Sequence, residues 1–332
     1  MNHPDDRLYF RQLLSGRDFA KTDPIAQQMV NFVYAIGDRT TGETLLVDPA
    51  YSVDELIDAV AADGMRVTGV LATHYHADHV GGVAALAARV PVRTFVDHGP
   101  TVEEGERPAK LYNDYLATRA KGRHILARPG DTLPIAGIDV RFVSAAGDVI
   151  TKPLVGAGSA NPLCSDFTAK PPDPTENARS VGMLLTFGSF RMLDLGDLTW
   201  NKEHDLVCPN NLVGTVDLYL TTHHGLDQSG AKVLVHAVAP RVAIMNNGAK
   251  KGGMASAWRI IRDSPGLEDL WQLHYAVDAG TEANAAEPFI ANKDETTSFG
   301  IRVAAGRDGR FTVTNGRNGM TKIYSPRRAL AE

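Results

Sequence analysis

The stretch Thr73-His74-Tyr75-His76-Ala77-Asp78-His79 gathers three imidazoles and a carboxylate into six consecutive residues. Neutral imidazole and carboxylate are the usual nitrogen and oxygen donors of zinc and related divalent ions, and four together are ligand enough to begin two metal sites. The flanks support that chemistry. Arg66 to Ala72 has the apolar character of a buried strand, and Val80 to Val90 is an Ala-rich amphipathic segment with helical spacing. The donors therefore fall on a strand-to-helix connection, which can aim His74 and His76 at one metal and Asp78 and His79 at a second. For a single histidine a solvated turn is the simpler explanation, whereas the whole cluster with these flanks favours metal.

Working outward, polar candidates recur where strands end. Val30 to Ile36 and Glu43 to Val47 are β-rich runs joined by Gly37 to Gly42, and the second run ends at Asp48-Pro49. Ser52-Val53-Asp54-Glu55 has the pattern of a capping box opening a helix that Gly64 closes. Val92 to Val96 ends in Asp97-His98-Gly99, followed by a charged helix from Glu103 to Arg119. Ile135 to Val143 has period-two alternation. Next comes the longest irregular stretch, Ser144 to Ala178, which carries five prolines. A loop of this length is functional, mobile or disordered, and with its neighbours it is expected to set the substrate. Later strands, Phe190 to Leu193, Asp217 to Leu220 and Val242 to Met245, lead into Asp194-Leu195-Gly196-Asp197, Thr221-Thr222-His223-His224-Gly225 and Asn246 to Gly253. Phe299 to Ala304 and Phe311 to Thr314 suggest a closing hairpin.

Composition bounds the class. The 332 residues, 43% hydrophobic and 22% charged, can bury a large core, and no repeat or linker divides them. One domain spanning 1–332 is expected, with a loop insertion at about 144–178. A net charge of -5 supplies no global positive field for nucleic acid, although a local basic patch stays open, and the partner expected is a small-molecule substrate. The two cysteines, Cys164 and Cys208, lack CxxC spacing, argue against a disulfide framework and fit a reducing compartment. The first residues lack the basic and apolar regions of a secretory signal, and no stretch approaches the roughly 18 apolar residues of a membrane span; the expected location is cytoplasmic.

HxHxDH after a strand, Gly196-Asp197 at a later strand end and His223-His224 after another resemble, in this order from Asp48 to His224, the metallo-β-lactamase superfamily. The resemblance implies an α/β fold, a four-layer αββα sandwich with its metal site at one edge of two packed sheets, and hydrolysis by a metal-bound hydroxide. It further implies that His74 and His76 bind the first metal, that Asp78 and His79 bind the second, that Asp197 bridges, that His223 completes the second site, and that Asp48 supports the loop from beneath. Two divalent ions are implied, zinc first, with iron, manganese and nickel open; Asp78 and Asp197 are the catalytic candidates. The superfamily usually adds a histidine after the strand that here runs through Arg141-Phe142-Val143. This chain has Ser144-Ala145-Ala146-Gly147-Asp148 there, so either Asp148 supplies an oxygen ligand or the first site keeps two histidines and the bridge. His223 is preferred over His224 because it directly follows the strand.

Substrate signals are mixed. Tyr9 to Leu14 with Gln28 to Tyr34 resembles glyoxalase-II-type thioester hydrolases, whereas Asn177 to Leu185, Leu195-Gly196-Asp197 and His223-His224-Gly225 resemble the metallo-β-lactamase-like domain of DNA-uptake competence proteins. The first favours an ester, thioester or related acyl bond, the second a phosphodiester; a non-catalytic metal-binding or regulatory module is the alternative of another class. No Gly-x-Ser-x-Gly elbow or activated cysteine suggests a covalent nucleophile. Lys250 and Lys251 could neutralise an anionic substrate but fit a solvated turn better. His98 is open between pocket lining and a hydrogen-bonded turn, and Trp200, Trp258 and Trp271 suit core or anchoring roles.

Overall fold

The computed structural model describes residues 8–15, 31–135, 137–297 and 299–327. The first residues and Gln28 to Val30 lie outside them. Strands β1 (Leu8–Ser15), β2 (Asn31–Asp38), β3 (Glu43–Val47), β4 (Arg66–Leu71), β5 (Thr94–Asp97) and β6 (Arg123–Leu126) form one sheet in chain order. The β1–β2 and β2–β3 pairs are antiparallel, and β3 to β6 run parallel. A second sheet is built from β7 (Thr132–Ile135), β8 (Ile138–Ala145), β9 (Asp148–Val149), β10 (Gly182–Phe187), β11 (Phe190–Asp194), β12 (Leu218–Leu220), β13 (Val242–Met245), β14 (Asp269–His274) and β15 (Ile290–Asn292). Its order is β15-β14-β13-β12-β11-β10-β8-β7, with β9 on β8, and β11 to β15 are parallel. Strands β16 (Ile301–Ala305), β17 (Phe311–Asn315) and β18 (Thr321–Tyr324) make a small third sheet.

Adjacent residues in a strand face opposite sides, so neighbouring apolar pairs divide between two cores. Val47, Leu71 and Val96 join Phe142, Met183, Met192, Leu218 and Ile244 between the two large sheets. Their neighbours Leu46, Val70 and Phe95 face outward onto Leu56 and Val60 of helix α1 (Val53–Ala62), with α2 (Ala77–Val80) following β4. Val83 and Leu86 of α3 (Val83–Arg89) and Tyr115 of α4 (Glu106–Arg119) complete that layer. On the far side Leu193, Tyr219 and Ala243 meet Leu206 of α5 (Trp200–Val207), Leu234 of α6 (Lys232–Val238) and Trp258 of α7 (Ala255–Arg262). Helices cover both outer faces, which is why the central parallel strands are almost continuously apolar. This is the four-layer αββα sandwich expected from the sequence.

Several local expectations are corrected. Ser52 adopts a left-handed conformation and its side chain makes no cap hydrogen bond, so the Ser52 half of the expected capping box is not made. The helix expected over Val80 to Val90 is broken near its start: α2 ends at Val80, and α3 runs from Val83 to Arg89. A side chain at Gly82 would place its Cβ 2.4 Å from the Pro49 carbonyl oxygen, so close approach of the Asp48-Pro49 turn to Gly81-Gly82 interrupts the helix there. Ile135 to Val143 belongs to two antiparallel strands, β7 and β8. The closing hairpin gains a third strand and adds Ile301, Val303, Phe311 and Tyr324 to the inter-sheet core.

The irregular stretch also has definite structure. After the β8–β9 hairpin, Leu154, Leu163 and Phe167 pack against the outer core beside α5 and α6, and Asn161 Nδ2 donates to the Val207 and Val233 carbonyls. Cys164 and Cys208 are joined by a disulfide, correcting the reading of the two cysteines as reduced thiols and withdrawing the composition argument for a reducing compartment. Most of the stretch thus covers the back of the second sheet, and only its end, Thr175 to Ser180, returns to the motif loop. No helix among the described residues is long and apolar enough to cross a membrane.

Candidate metal centre

The carboxyl ends of β3, β4 and β5 in one sheet and of β11, β12 and β13 in the other deliver the candidate residues to one edge of the sandwich. In parallel sheets this is where loops leave the strands and sites assemble. Asp48, in a left-handed conformation that aspartate tolerates better than most residues, turns its carboxylate under the motif. It accepts the Thr73 backbone N–H at 2.7 Å, the Thr73 hydroxyl at 2.7 Å and the His79 Nδ1–H at 2.8 Å.

These partners determine which nitrogen of each imidazole faces inward. His79 donates from Nδ1 to Asp48, leaving Nε2 buried with no hydrogen-bond partner. The Thr73 hydroxyl proton is committed to Asp48, so its oxygen accepts from His74 Nδ1 at 3.1 Å and His74 Nε2 keeps its lone pair. His76 donates from Nε2 to Glu103 Oε1 at 3.2 Å, which leaves Nδ1 as the lone-pair nitrogen. Ser229 donates to the Leu198 carbonyl and therefore accepts from His223 Nδ1 at 3.2 Å. His224 Nδ1 donates to the Asn246 carbonyl at 3.1 Å, and its Nε2 is likewise buried without a partner.

The inward nitrogens surround Asp197. Its carboxylate lies 3.4 Å from His79 Nε2, 3.5 Å from His224 Nε2, 3.6 Å from His223 Nε2 and 4.0 Å from His74 Nε2. His74 Nε2 and His76 Nδ1 face each other at 3.0 Å, two lone pairs whose repulsion a shared cation would remove. Among the described residues, two buried groups have donor atoms close enough to hold an ion: His74, His79 and Asp197, and Asp78, His79 and His224. Orphaned inward nitrogens beside ionised carboxylates fit divalent metal.

Electrostatics agree with this fit. Burial pushes His74 well below the ordinary histidine value, with the neighbouring His79 charge adding to the effect. At His79 burial acts in the same direction, but the carboxylates of Asp197, Asp48 and Asp78 outweigh it and raise the pKa well above normal. Burial would raise Asp197, yet the imidazoles of His224, His223 and His79 hold it well below the usual carboxylate range. The pocket therefore carries excess negative charge around His79 that a bound cation would neutralise.

The turn bearing His223 and His224 is unusual, because both residues have left-handed backbones, with φ of 53° and 57°. Such conformations cost about 1–3 kcal/mol each and persist where surrounding structure enforces them. Enforcement comes from the loop after β13. Gly253 N–H donates to the His224 carbonyl at 2.8 Å, and any Cβ on Gly252 would lie 2.0 Å from that oxygen. The same loop carries Lys251 inward to an ion pair with the buried Asp78 carboxylate. Burial alone would raise the Asp78 pKa, but Lys251 and His79 hold it far below the usual range.

His74, His76, Asp78, His79, Asp197 and His223 thus converge at the edge of the sandwich. His224 stands in the group with Asp78 and His79, while His223 faces Asp197 from the side. Asp148 is not brought in: it lies exposed on β9, across the hairpin from Ala145, outside both groups. Next to His74, the end of the irregular stretch contributes Ser180, just before β10, whose Oγ is 3.5 Å from His74 Nδ1. His98 is a fully buried partner of Glu176 at 2.9 Å, so the turn alternative holds for it. Lys250 pairs with Glu295 at the surface, and Trp271 is core. Sequence reasoning did not single out Glu103 or Glu176 and underweighted Lys251. The only local signal was their position in loops leaving strands or returning to them.

Fold and site together define a protein built to hold divalent metal between two β-sheets. The family profile described as Metallo-beta-lactamase superfamily matches residues 28–162, the part of the chain that carries the motif. A hydroxyacylglutathione hydrolase of Rhodopseudomonas palustris (strain HaA2) is 33% identical over 104 residues, covering 31% of this chain and 40% of the relative. One from Stenotrophomonas maltophilia (strain R551-3) is 38% identical over 105 residues, covering 31% and 39%. The chain therefore spans about two-fifths of the length of these curated relatives. Among solved structures, Igni18, a metallo hydrolase from Ignicoccus hospitalis KIN4/I, is similar with a TM-score of 0.43 and 11% identity, over 80% of this chain and 95% of that one.

Proposed function

We propose that the protein is a metal-dependent hydrolase that cleaves an ester, thioester or related acyl bond of a small molecule. The observation that carries this proposal is the ring of imidazoles around Asp197, each tied outward through one nitrogen so that the other points inward. His74, His76 and Asp197 would hold a first divalent cation, and Asp78, His79, His224 and Asp197 a second, with zinc the leading candidate for both. This assigns His224 in preference to His223 and leaves Asp148 out. When bound, such ions supply Lewis-acid polarisation and make water acidic enough to react near neutral pH.

The protein's own groups prepare the rest. Asp78, kept ionised beside Lys251, can accept a hydrogen bond from an attacking water and orient it. The Lys251 ammonium, whose side chain is 17% exposed, stands where it can meet negative charge on a bound substrate. No cysteine nucleophile is available, since both cysteines are consumed in the disulfide. The curated relatives, named for hydrolysis of hydroxyacylglutathione, support an acyl substrate over the stretch they share with this chain.

Elemental analysis of purified protein, followed by a screen with p-nitrophenyl esters, a glutathione thioester and bis-p-nitrophenyl phosphate, tests the proposal. Metal uptake with ester or thioester turnover that His79→Ala abolishes is expected. Turnover of the phosphodiester alone would refute the acyl substrate. Stoichiometric metal with no hydrolysis would leave a binding module, and full activity in Asp197→Ala would refute the metal mechanism itself.

A further inference from the structure

The irregular stretch returns to the motif loop through one carboxylate. Glu176 is fully buried. Its Oε2 accepts the Tyr75 backbone N–H at 3.1 Å and the His98 Nε2–H at 2.9 Å, while Oε1 accepts the Thr101 hydroxyl at 2.9 Å and the Val102 N–H at 2.7 Å. One side chain thereby clamps the metal-binding motif to the loop that leaves β5. Four donors on a buried carboxylate make the clamp costly to release.

The clamp continues into the motif. The Glu176 backbone N–H donates to Glu103 Oε1 at 3.2 Å, the same oxygen that accepts the His76 Nε2–H at 3.2 Å. The Glu103 backbone N–H donates to the Thr101 hydroxyl oxygen, so both ends of Glu103 are fastened to groups that Glu176 holds. His76 needs such support more than its neighbours. Its side chain is 32% exposed, whereas those of His74 and His79 are 0% and 3% exposed and enclosed by packing. Without an acceptor at Nε2 the ring could turn, or move its proton to Nδ1, and the lone pair facing His74 would be lost.

We propose that Glu103, braced by Glu176, is a positioning residue that holds His76 with its proton on Nε2 and its Nδ1 lone pair aimed at the first cation site. The proposal rests on the metal-centre reading, and it gives the far end of the long stretch a role in ligand geometry rather than in substrate choice. Partners that orient metal-binding histidines typically contribute about 10–100-fold in metal affinity.

The test uses the full chain in two measurements. Nitrogen-15 NMR of the metal-free protein at alkaline pH, with His76→Ala to assign the signal, reports which ring nitrogen of His76 carries the proton. Cobalt(II) titration followed by visible absorption reports metal affinity. Wild type is expected to hold His76 as the Nε2–H form. Glu103→Ala is expected to give mixed tautomers and to weaken by about 10–100-fold the cobalt site that His76→Ala removes. Glu103→Gln, which keeps an acceptor oxygen, should recover most of that loss, and Glu176→Gln should shift His76 in the same direction as Glu103→Ala. A Glu103→Ala protein with the wild-type tautomer and cobalt isotherm would overturn the proposal, as would a Glu103→Gln protein no better than alanine. An unchanged His76 in Glu176→Gln would overturn the bracing role. If wild type takes up no cobalt, the metal-centre reading fails, and the tautomer measurement still decides what Glu103 does.

Discussion

Replacing Asp48 by asparagine separates the support of the centre from its ligands. Asparagine has nearly the same shape and accepts the left-handed backbone, with φ of 52° at this position, so the turn should survive. What changes is the bonding. The Asp48 carboxylate accepts three hydrogen bonds, two from Thr73 at 2.7 Å and one from His79 at 2.8 Å. An amide can accept at its oxygen only, and if that oxygen stays on the Thr73 N–H, the amide N–H₂ faces His79 Nδ1. The imidazole must then carry its proton on Nε2, the nitrogen directed at the Asp197 carboxylate. Losing a charge-assisted hydrogen bond costs about 1.5–3 kcal/mol, equivalent to roughly 10–100-fold or slightly more in metal affinity. That range matches what orienting partners of metal-bound histidines usually contribute. Competition against a chromophoric chelator measures the affinity, and circular dichroism checks that the fold persists. A folded Asp48→Asn protein that binds metal within about twofold of wild type would show that the tautomer of His79 does not govern the centre.

Three further outcomes are expected. Glu203 is fully buried beneath the histidine turn and accepts the Gly230 and Ala231 N–H groups; burial nevertheless raises its pKa from 4.5 to about 7. A carboxyl whose folded pKa is raised loses stability as pH climbs from the unfolded value to the folded one, here by about 3 kcal/mol between 4.5 and about 7. Urea denaturation in the presence of chelator should show that slope in wild type, and a stability difference between wild type and Glu203→Gln that stays constant with pH would count against it. Replacing Cys164 and Cys208 by serine opens a loop with a sequence separation of 44 residues and should cost up to about 4 kcal/mol in the chain-entropy description, measurable as a lower urea midpoint. His224→Ala should remove one equivalent of tightly held metal while Asp148→Ala leaves metal content unchanged; loss of metal on replacing Asp148 would contradict the geometry of the β8–β9 hairpin.

The parts of this protein that were legible in the sequence are those whose physics is local. The buried strand before the motif, the turn at Asp194 to Asp197 and the donor-rich exit at Thr221 to Gly225 announce themselves through short-range patterns of apolar runs, glycine and polar donors. Misjudged features depended on partners far along the chain. Ser52 takes a left-handed backbone and gives no side-chain cap, and the helix expected after the motif starts late because Gly82 lies against Pro49. Asp148 has suitable chemistry but lies on an exposed hairpin strand, and nothing in its neighbours along the chain reveals that direction. The disulfide joins cysteines that local spacing gives no reason to pair.

By itself the sequence determined the chemistry on offer, namely three imidazoles and a carboxylate on a strand-to-helix connection, with further donors held in reserve at later strand ends. Residue type and period-two patterning suffice for that, because they govern donor atoms and the two faces of a strand. Only the tertiary structure decided which donors meet and which nitrogen each imidazole offers. Asp48, Glu103, Ser229 and the Asn246 carbonyl set those choices, each reaching from a neighbouring strand end of the same sheet or along the loop that carries the histidine. A hydrogen bond requires two groups in place, and the sequence alone names only one of them.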